Sequence, residues 1–423
     1  MVLDELTRRK FGAFETPRHV FRKYILPEIR DKLFDYVWVD MFCGGGNLLL
    51  PILEELPEGE RVGFFRDHVF MFDVLEEMVE RAVRYAVELG VPREIAERNI
   101  RVRDVLSDFP VEVLGRGYPV YHVTNPPYIY IGYIRKSREL GFWLRYFRGP
   151  FEGLQDTYQL ALMNDLIHEI PRMIYVIPTN FLYGASVSNK IRRELLYWYE
   201  IEKAVVFEKK IFEYTGQHVG IFFFRRKNKA SHTPQRFKLV KINERVLEKE
   251  VVITPRNNYR AGTEFEEFVE NHKAPNPIKT RFYLYLDDII SNPGNNKIIA
   301  VDSNTYRGKK YVKREFHVND QMHKKIMNNI LFIKTLDGTR EEERAGLYII
   351  RDVFNADCII VSRAPYRTHP IQIFFEPEIS IEDQLLIKDY FNLMLNHFRE
   401  LTDSEFMTTY KYSNTPFTRK YLG

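Results

Sequence analysis

The run Asn125-Pro126-Pro127-Tyr128 offers the most specific chemistry in the chain. Two successive prolines can neither continue a strand nor enter a helix, so the backbone has to stop and turn there. Val120 to Thr124, just before them, reads as a strand. The turn therefore leaves a side-chain amide and a bare carbonyl at the carboxyl end of a strand, where ligands bind in open parallel sheets. The Asn125 amide oxygen and the Pro126 carbonyl can both accept hydrogen bonds from one amino group, and the Tyr128 ring can stack on a planar base. A conjugated amine is a poor nucleophile because its lone pair is shared with the ring. Two acceptors gripping its hydrogens pull the nitrogen toward a tetrahedral shape and free that pair. The plain alternative is an ordinary Pro-Pro turn, since four residues recur by chance.

A glycine turn, Asp40-Met41-Phe42-Cys43-Gly44-Gly45-Gly46-Asn47, lies between the first expected strand and the first expected helix. Glycines there permit positive backbone angles and close ligand approach, and the following helix N-terminus favours negative charge. The spacing is not G-x-G-x-x-G and no G-K-S/T follows, which disfavours phosphate cradling. Asp40 at the strand end can instead hold a cationic amino group, and Cys43 reads as packing. Asp73 ends the second strand, placed to bind two ribose hydroxyls. Asp104, after the third strand, can accept from an adenine amino group. Either acid can equally be a solvated loop residue; their weight comes from their order. Near the N-terminus, Thr16 and Pro17 precede a helix starting at Arg18, as N-cap and first helical residue. That helix end and Thr16 can also hold a carboxylate.

The elements that must position these groups follow from the hydrophobic pattern. The first half alternates short apolar runs with amphipathic segments, the signature of a parallel sheet covered by helices. Strands are expected at Tyr36–Met41, Val69–Asp73, Ile100–Val102, Pro119–Thr124 and Arg172–Ile177. Ile201–Phe207 and Val219–Phe224 are expected to close the sheet as a hairpin, with helices over Thr157–His168 and Asn189–Tyr199. Arg225–Gln235, basic and polar, is the expected linker. Beyond it strand-like runs such as Phe237–Ile242 and Leu347–Arg351 are separated by polar loops, with one late helix over Gln384–Arg399.

These motifs, in this order, resemble the amino-methyltransferase family of DNA-modifying enzymes in its gamma order. The resemblance covers Phe11 to about Arg226. It implies an α/β fold: a seven-stranded, Rossmann-like S-adenosylmethionine-dependent methyltransferase sheet with one antiparallel strand, followed by a mixed α+β target-recognition domain. The domains expected are 1–228, catalytic, and 229–423, DNA-reading. The cofactor implied is S-adenosyl-L-methionine, with Thr16 and Asp40 on its methionine part, Asp73 on its ribose and Asp104 on its adenine, and with Pro17, Phe42, Gly44 and Gly46 also cofactor-binding. Asn125, Pro126, Pro127 and Tyr128 would grip a flipped adenine. Phe212, in Ile211-Phe212-Glu213, is a second stacking partner or a hairpin core residue. Three glycines stand together where many members have another residue between two.

The segment Ile129–Gln155 is either a loop closing over the base, with Arg135, Lys136, Arg145 and Arg148 near phosphates, or a solvated loop. In the second half the basic residues Arg307, Lys309, Lys310, Lys313, Arg314, Lys324 and Lys325, and later Arg363 and Arg367, are DNA contacts or a solvated face.

Bulk properties set outer limits. The chain has 423 residues, enough for roughly two domains, with 45% hydrophobic residues and a net charge of +4. The 26 Tyr and 32 Phe suit either cores or platforms for unstacked bases. Only Cys43 and Cys358 are present, so no disulfide framework or zinc cluster is expected and no metal is implied. No run reaches the ~20 apolar residues of a membrane span, and Met1–Lys10 carries no apolar signal segment. A cytoplasmic double-stranded-DNA adenine-N6 methyltransferase is the expectation. A separate cognate restriction endonuclease is compatible with it and not required by it. The rival substrates for the same chemistry are RNA and a protein glutamine. A non-catalytic DNA-binding subunit is disfavoured because the motif residues are intact.

Overall fold

The computed structural model describes residues 15–184, 187–207, 218–242, 246–308, 310–334, 345–365 and 369–402. Two compact units divide the chain, Met1–Ala261 and Gly262–Gly423.

The first unit is built on one sheet of nine strands in the order β3-β2-β1-β4-β5-β7-β6-β8-β9. These are β1 (Val37–Asp40), β2 (Val69–Asp73), β3 (Ile100–Val102), β4 (Val120–Thr124), β5 (Arg172–Pro178), β6 (Tyr199–Phe207), β7 (Val219–Arg226), β8 (Gln235–Ile242) and β9 (Val246–Ile253). β1 and β4 are buried at every position, as strands covered on both faces must be. Helices Glu58–His68, Glu76–Glu88, Arg93–Asn99, Thr157–Ile167 and Asn189–Trp198 connect the strands. β1 pairs in parallel with both β2 and β4. Strand order reverses between β1 and β4, so a crevice opens at their carboxyl ends. Asp40 ends the first of these strands and Asn125 follows the second.

The first seven strands carry one antiparallel member, β7, running between β5 and β6. The sheet does not stop at seven. β8 adds in parallel to β6, and β9 adds antiparallel to β8. The compact unit therefore extends to Ala261, beyond the 228/229 boundary expected from sequence. The cause is visible in the stretch expected as a linker. The Gln235 amide donates to Leu196 O (3.1 Å) and Tyr199 O (2.9 Å), and its Oε1 accepts from Ile201 N (3.1 Å). The Lys227 ammonium donates to Leu196 O and Ser231 O. A segment tied down this way continues the sheet; it does not separate domains.

Two local expectations near the cavity change. Asn47 does not open an α-helix; Leu50–Glu55 is a 3-10 helix, with Pro51 in its first turn. At Arg18 the N-cap position is Pro17, without a side-chain cap, and Thr16 bonds elsewhere.

The second unit holds two four-stranded sheets, β10-β17-β14-β15 and β11-β16-β12-β13. Its strands are β10 (Lys279–Phe282), β11 (Leu284–Tyr285), β12 (Pro293–Arg307), β13 (Lys310–Val318), β14 (Leu331–Lys334), β15 (Gly346–Ile349), β16 (Cys358–Val361) and β17 (Ile371–Glu376). Helix Ile381–Thr402 packs on β15, where Asn392 exchanges hydrogen bonds with the Leu347 backbone. No helix among the described residues is long and apolar enough to cross a membrane.

Candidate active site

A cavity of about 480 Å³ opens at the carboxyl edge of the first unit's sheet. Thr16, Asp40, Phe42, Gly44, Asp73, Asp104, Asn125 and Pro127, all singled out from sequence, line it together. They come from five separate stretches of chain, gathered because successive parallel strands deliver their carboxyl ends to one edge.

Asp40 is wholly buried. Its Oδ1 accepts from Thr124 Oγ1 (2.7 Å) and Phe42 N (3.1 Å). Its Oδ2 is buried and has no hydrogen-bond partner among the described residues. Burial pushes the carboxyl up to about 7, against the opposing pull of the Thr124 hydroxyl. A buried carboxylate oxygen lacking a donor is costly, and it matches a ligand that brings a cation.

Asp73 shapes the glycine turn. Its Oδ2 accepts from Gly44 N and its Oδ1 from Leu75 N, both at 2.9 Å, and burial raises its pKa. Each oxygen keeps a lone pair for a further donor. Glu15 closes the turn from above: its Oε1 accepts from Gly45 N at 3.2 Å and pairs with Arg81 at 2.9 Å. A Cβ on Gly45 would stand 2.7 Å from that oxygen, so a side chain there would displace the glutamate. Gly46 acts on the other side. It has φ +86°, its Cβ direction meets Leu50 Cδ1 at 2.4 Å, and it is not in the cavity lining. Pro17 likewise supports the wall without lining it. Cys43 is buried with its thiol pushed well up by burial, as a packing residue that also lines the cavity.

On the acceptor side, Asn125 Nδ2 donates to Thr16 Oγ1 at 3.0 Å. The single Tyr128 hydroxyl proton is shared between two acceptors, Asn125 Oδ1 and Val176 O, the latter at 2.8 Å. The Tyr128 ring is buried and lies outside the lining, so in this structure it braces the motif. Thr157 Oγ1 donates to Pro127 O at 2.6 Å and accepts from Ile129 N at 2.8 Å, pinning the turn to the next helix.

The segment after the motif, expected as either a loop closing over the base or a solvated loop, is firmly packed. Ile134, Leu140 and Trp143 are buried, and Gly141–Tyr146 forms a 3-10 helix. Phe142, Trp143, Arg145 and Tyr146 line the cavity, none of them assigned to a cofactor wall from sequence. Asp104 Oδ2 accepts from Tyr146 OH (2.7 Å), Ser107 Oγ (2.7 Å) and Arg145 (3.2 Å). Arg145 is thus engaged by an acid on the cavity rim. Arg135 and Lys136 are exposed. Phe212, Lys309 and Arg367 lie outside the described residues.

Comparison with known families agrees with this geometry. The family model described as N-6 DNA Methylase matches residues 3–292. The chain belongs to the N-6 DNA Methylase family. This family member matches no curated protein. Among solved structures it is similar to the type IIL restriction-modification enzyme MmeI in complex with DNA, with 14% identity, 88% of this chain and 64% of that chain covered, and a TM-score of 0.52. A type I restriction-modification methyltransferase subunit from Streptococcus thermophilus aligns at 18% identity over 63% of this chain and 53% of that one, with a TM-score of 0.38. The EcoKI M protein aligns at 13% over 72% and 63%, with a TM-score of 0.39. The chain spans less than two thirds of the length of each of these three. At such identities the MmeI likeness speaks for the fold.

Proposed function

We propose that this N-6 DNA methylase transfers the methyl group of S-adenosylmethionine to the N6 amino group of an adenine flipped out of duplex DNA, within a restriction-modification system. The observation that carries the reading is one cavity lined both by Asn125 and Pro127 and by Asp40, Asp73 and Asp104. The residues fit the cofactor. Asp40, with its partnerless buried oxygen, would receive the amino group, Asp73 the ribose hydroxyls and Asp104 the adenine amine. The bound cofactor supplies a methyl group on a sulfonium, a strong electrophile.

The chain's own residues then prepare the nucleophile. Asn125 Oδ1 and the Pro126 carbonyl accept hydrogen bonds from the adenine amino group, and Thr16 and Tyr128 hold the Asn125 amide so that its oxygen is presented. The N–C bond forms as the S–C bond breaks, and the surplus proton on nitrogen passes to solvent. Rate enhancement comes mainly from alignment of the two reactants. Extrusion of the base costs a few kcal/mol.

The test is transfer of labelled methyl to duplex DNA of mixed sequence, with total RNA and a release factor offered in parallel and Asn125→Ala beside wild type. Label recovered as N6-methyladenine, and lost in the variant, supports the reading. Label in RNA or protein alone overturns the substrate.

A further inference from the structure

The second unit carries a built cationic surface apart from the cavity-lining residues. β12 is the longest strand, 15 residues, paired with the edge strand β13. On its other side β12 pairs with β16 only over Ala300–Asp302. Beyond Asp302 the two strands continue as a ribbon with no third strand among the described residues, paired at Tyr306↔Tyr311 and Arg307↔Lys310. Residues 303–314 include Arg307, Lys309, Lys310, Lys313 and Arg314 and no acid.

A bulge at Ser303–Thr305 sets the base of the ribbon. Asp302, fully buried, organises it. Its Oδ1 accepts from Asn304 N (3.0 Å) and Ser362 Oγ (2.8 Å); its Oδ2 accepts from Thr305 Oγ1 (3.0 Å) and pairs with Arg314 (2.8 Å). Asn304 then clasps the turn after β16: its amide donates to Ala364 O at 2.9 Å and its Oδ1 accepts from Arg363 N at 3.1 Å. Ser303 Oγ adds a bond to Ile360 O at 3.0 Å. Two basic stretches far apart in sequence are thereby joined at the base of the ribbon.

Arg314 is consumed by Asp302, and Lys313 donates to Asn355 O. Arg307, Lys310 and Arg363 are exposed and make no ion pair among the described residues. Tyr306 is 53% exposed, its ring centroid 4.1 Å from that of Tyr311. Burying a carboxylate is costly unless it is fully bonded. Here the bonds made to it join the base of the ribbon to the Arg363 turn, and so tie together two basic stretches that a polyanion would neutralise.

We propose that this ribbon and the adjoining Arg363 turn clamp the phosphate backbone of duplex DNA, with Tyr306 presented to the groove, which admits a two-stranded ribbon. The inference rests on duplex DNA being the substrate. Arg307, Lys310 and Arg363 contact phosphates and supply affinity independent of sequence.

The test compares wild type with the triple variant R307Q/K310Q/R363Q, measuring duplex binding over a range of salt concentrations. Loss of three phosphate contacts makes the log–log salt dependence shallower by roughly 2–3 and weakens binding at least tenfold at low salt. S-adenosylmethionine binding and the melting temperature stay at wild-type values, because all three side chains are exposed. Tyr306→Ala weakens binding without changing the salt slope. A triple variant that melts like wild type and keeps its affinity and slope overturns the clamp while leaving the DNA reading intact. A wild-type chain that neither binds nor methylates duplex DNA overturns the substrate and the clamp with it.

Discussion

Asn125 Nδ2 donates to Thr16 Oγ1 at 3.0 Å, a bond between residues 109 positions apart. It joins the segment ahead of the first helix to the turn after β4. With the amide nitrogen committed to Thr16, the amide oxygen is left facing the Tyr128 hydroxyl and the acceptor position. The two motifs are thus mechanically one, and Thr16 orients the amide that we propose grips the target base.

Thr16→Val keeps the shape and removes the acceptor. A neutral hydrogen bond is worth about 0.5–1.5 kcal/mol net, so the single-turnover methyl-transfer rate should fall roughly two- to tenfold. Thr16→Ser should restore it. Equal rates for all three proteins would show that Asn125 needs no such support.

If Asp40 holds the cofactor's amino group as proposed, cofactor affinity should depend on pH. Burial holds the Asp40 carboxyl at about 7, above the ~3.9 of an unfolded chain. Its contribution to folding is therefore full below the unfolded value and is lost as pH rises through about 7. In the proposed contact the cofactor's amino group would pair with the ionised form. Affinity for S-adenosylhomocysteine should rise by up to about tenfold per unit as pH climbs toward that value and level off above it. Calorimetry in buffers of different ionisation enthalpy should detect proton release on binding, and Asp40→Asn should flatten the profile. An unchanged profile in that variant would move the cation to another residue.

Trp143 is a built-in reporter. Trp38 is stacked on Tyr121 in the core, and Trp198 lies against Tyr197. Of the three tryptophans only Trp143 lines the cavity. S-adenosylhomocysteine should change its emission, and Trp143→Phe should abolish the change while the ligand still binds by calorimetry. A signal that survives the substitution would place the ligand against a different tryptophan.

Beneath the glycine turn, His122, Asp165 and Tyr175 form a buried set. Asp165 Oδ2 lies 2.5 Å from His122 Nδ1 and accepts from Tyr175 OH at 2.6 Å, while His122 Nε2 accepts from Met41 N at 3.3 Å. Asp165→Leu strands both partners in the core and should cost about 3–5 kcal/mol. Asp165→Asn, which keeps an acceptor, should cost about 1–3 kcal/mol. Thermal unfolding would rank them; a leucine variant as stable as wild type would mean the set is dispensable to the fold. Because Met41 rests on His122, the asparagine variant should also bind cofactor more weakly.

The sequence by itself determined the order of the catalytic edge. Glycine turn, Asp73, Asp104 and Asn-Pro-Pro-Tyr each follow a recognisable strand, and parallel strands must deliver such residues to one side. Alternation and helical spacing are local properties of the backbone, so strands β1 to β7 and the long helix Ile381–Thr402 could be read within a residue or a few.

Only the tertiary structure decided what touches what. Thr16 was expected to cap a helix and instead holds Asn125, because a hydroxyl bonds the nearest good partner, which need not be near in sequence. β8 was expected beyond a linker and instead extends the first sheet, since alternation marks a strand but not its neighbour. The aromatic wall of Phe142, Trp143 and Tyr146 has no period to betray it. Arg314 and Arg363 look alike in sequence; burial of Asp302 ties the first and leaves the second exposed. Periodicity records how a segment meets a core, whereas side-chain partnerships across tens of residues exist only once the chain has closed on itself.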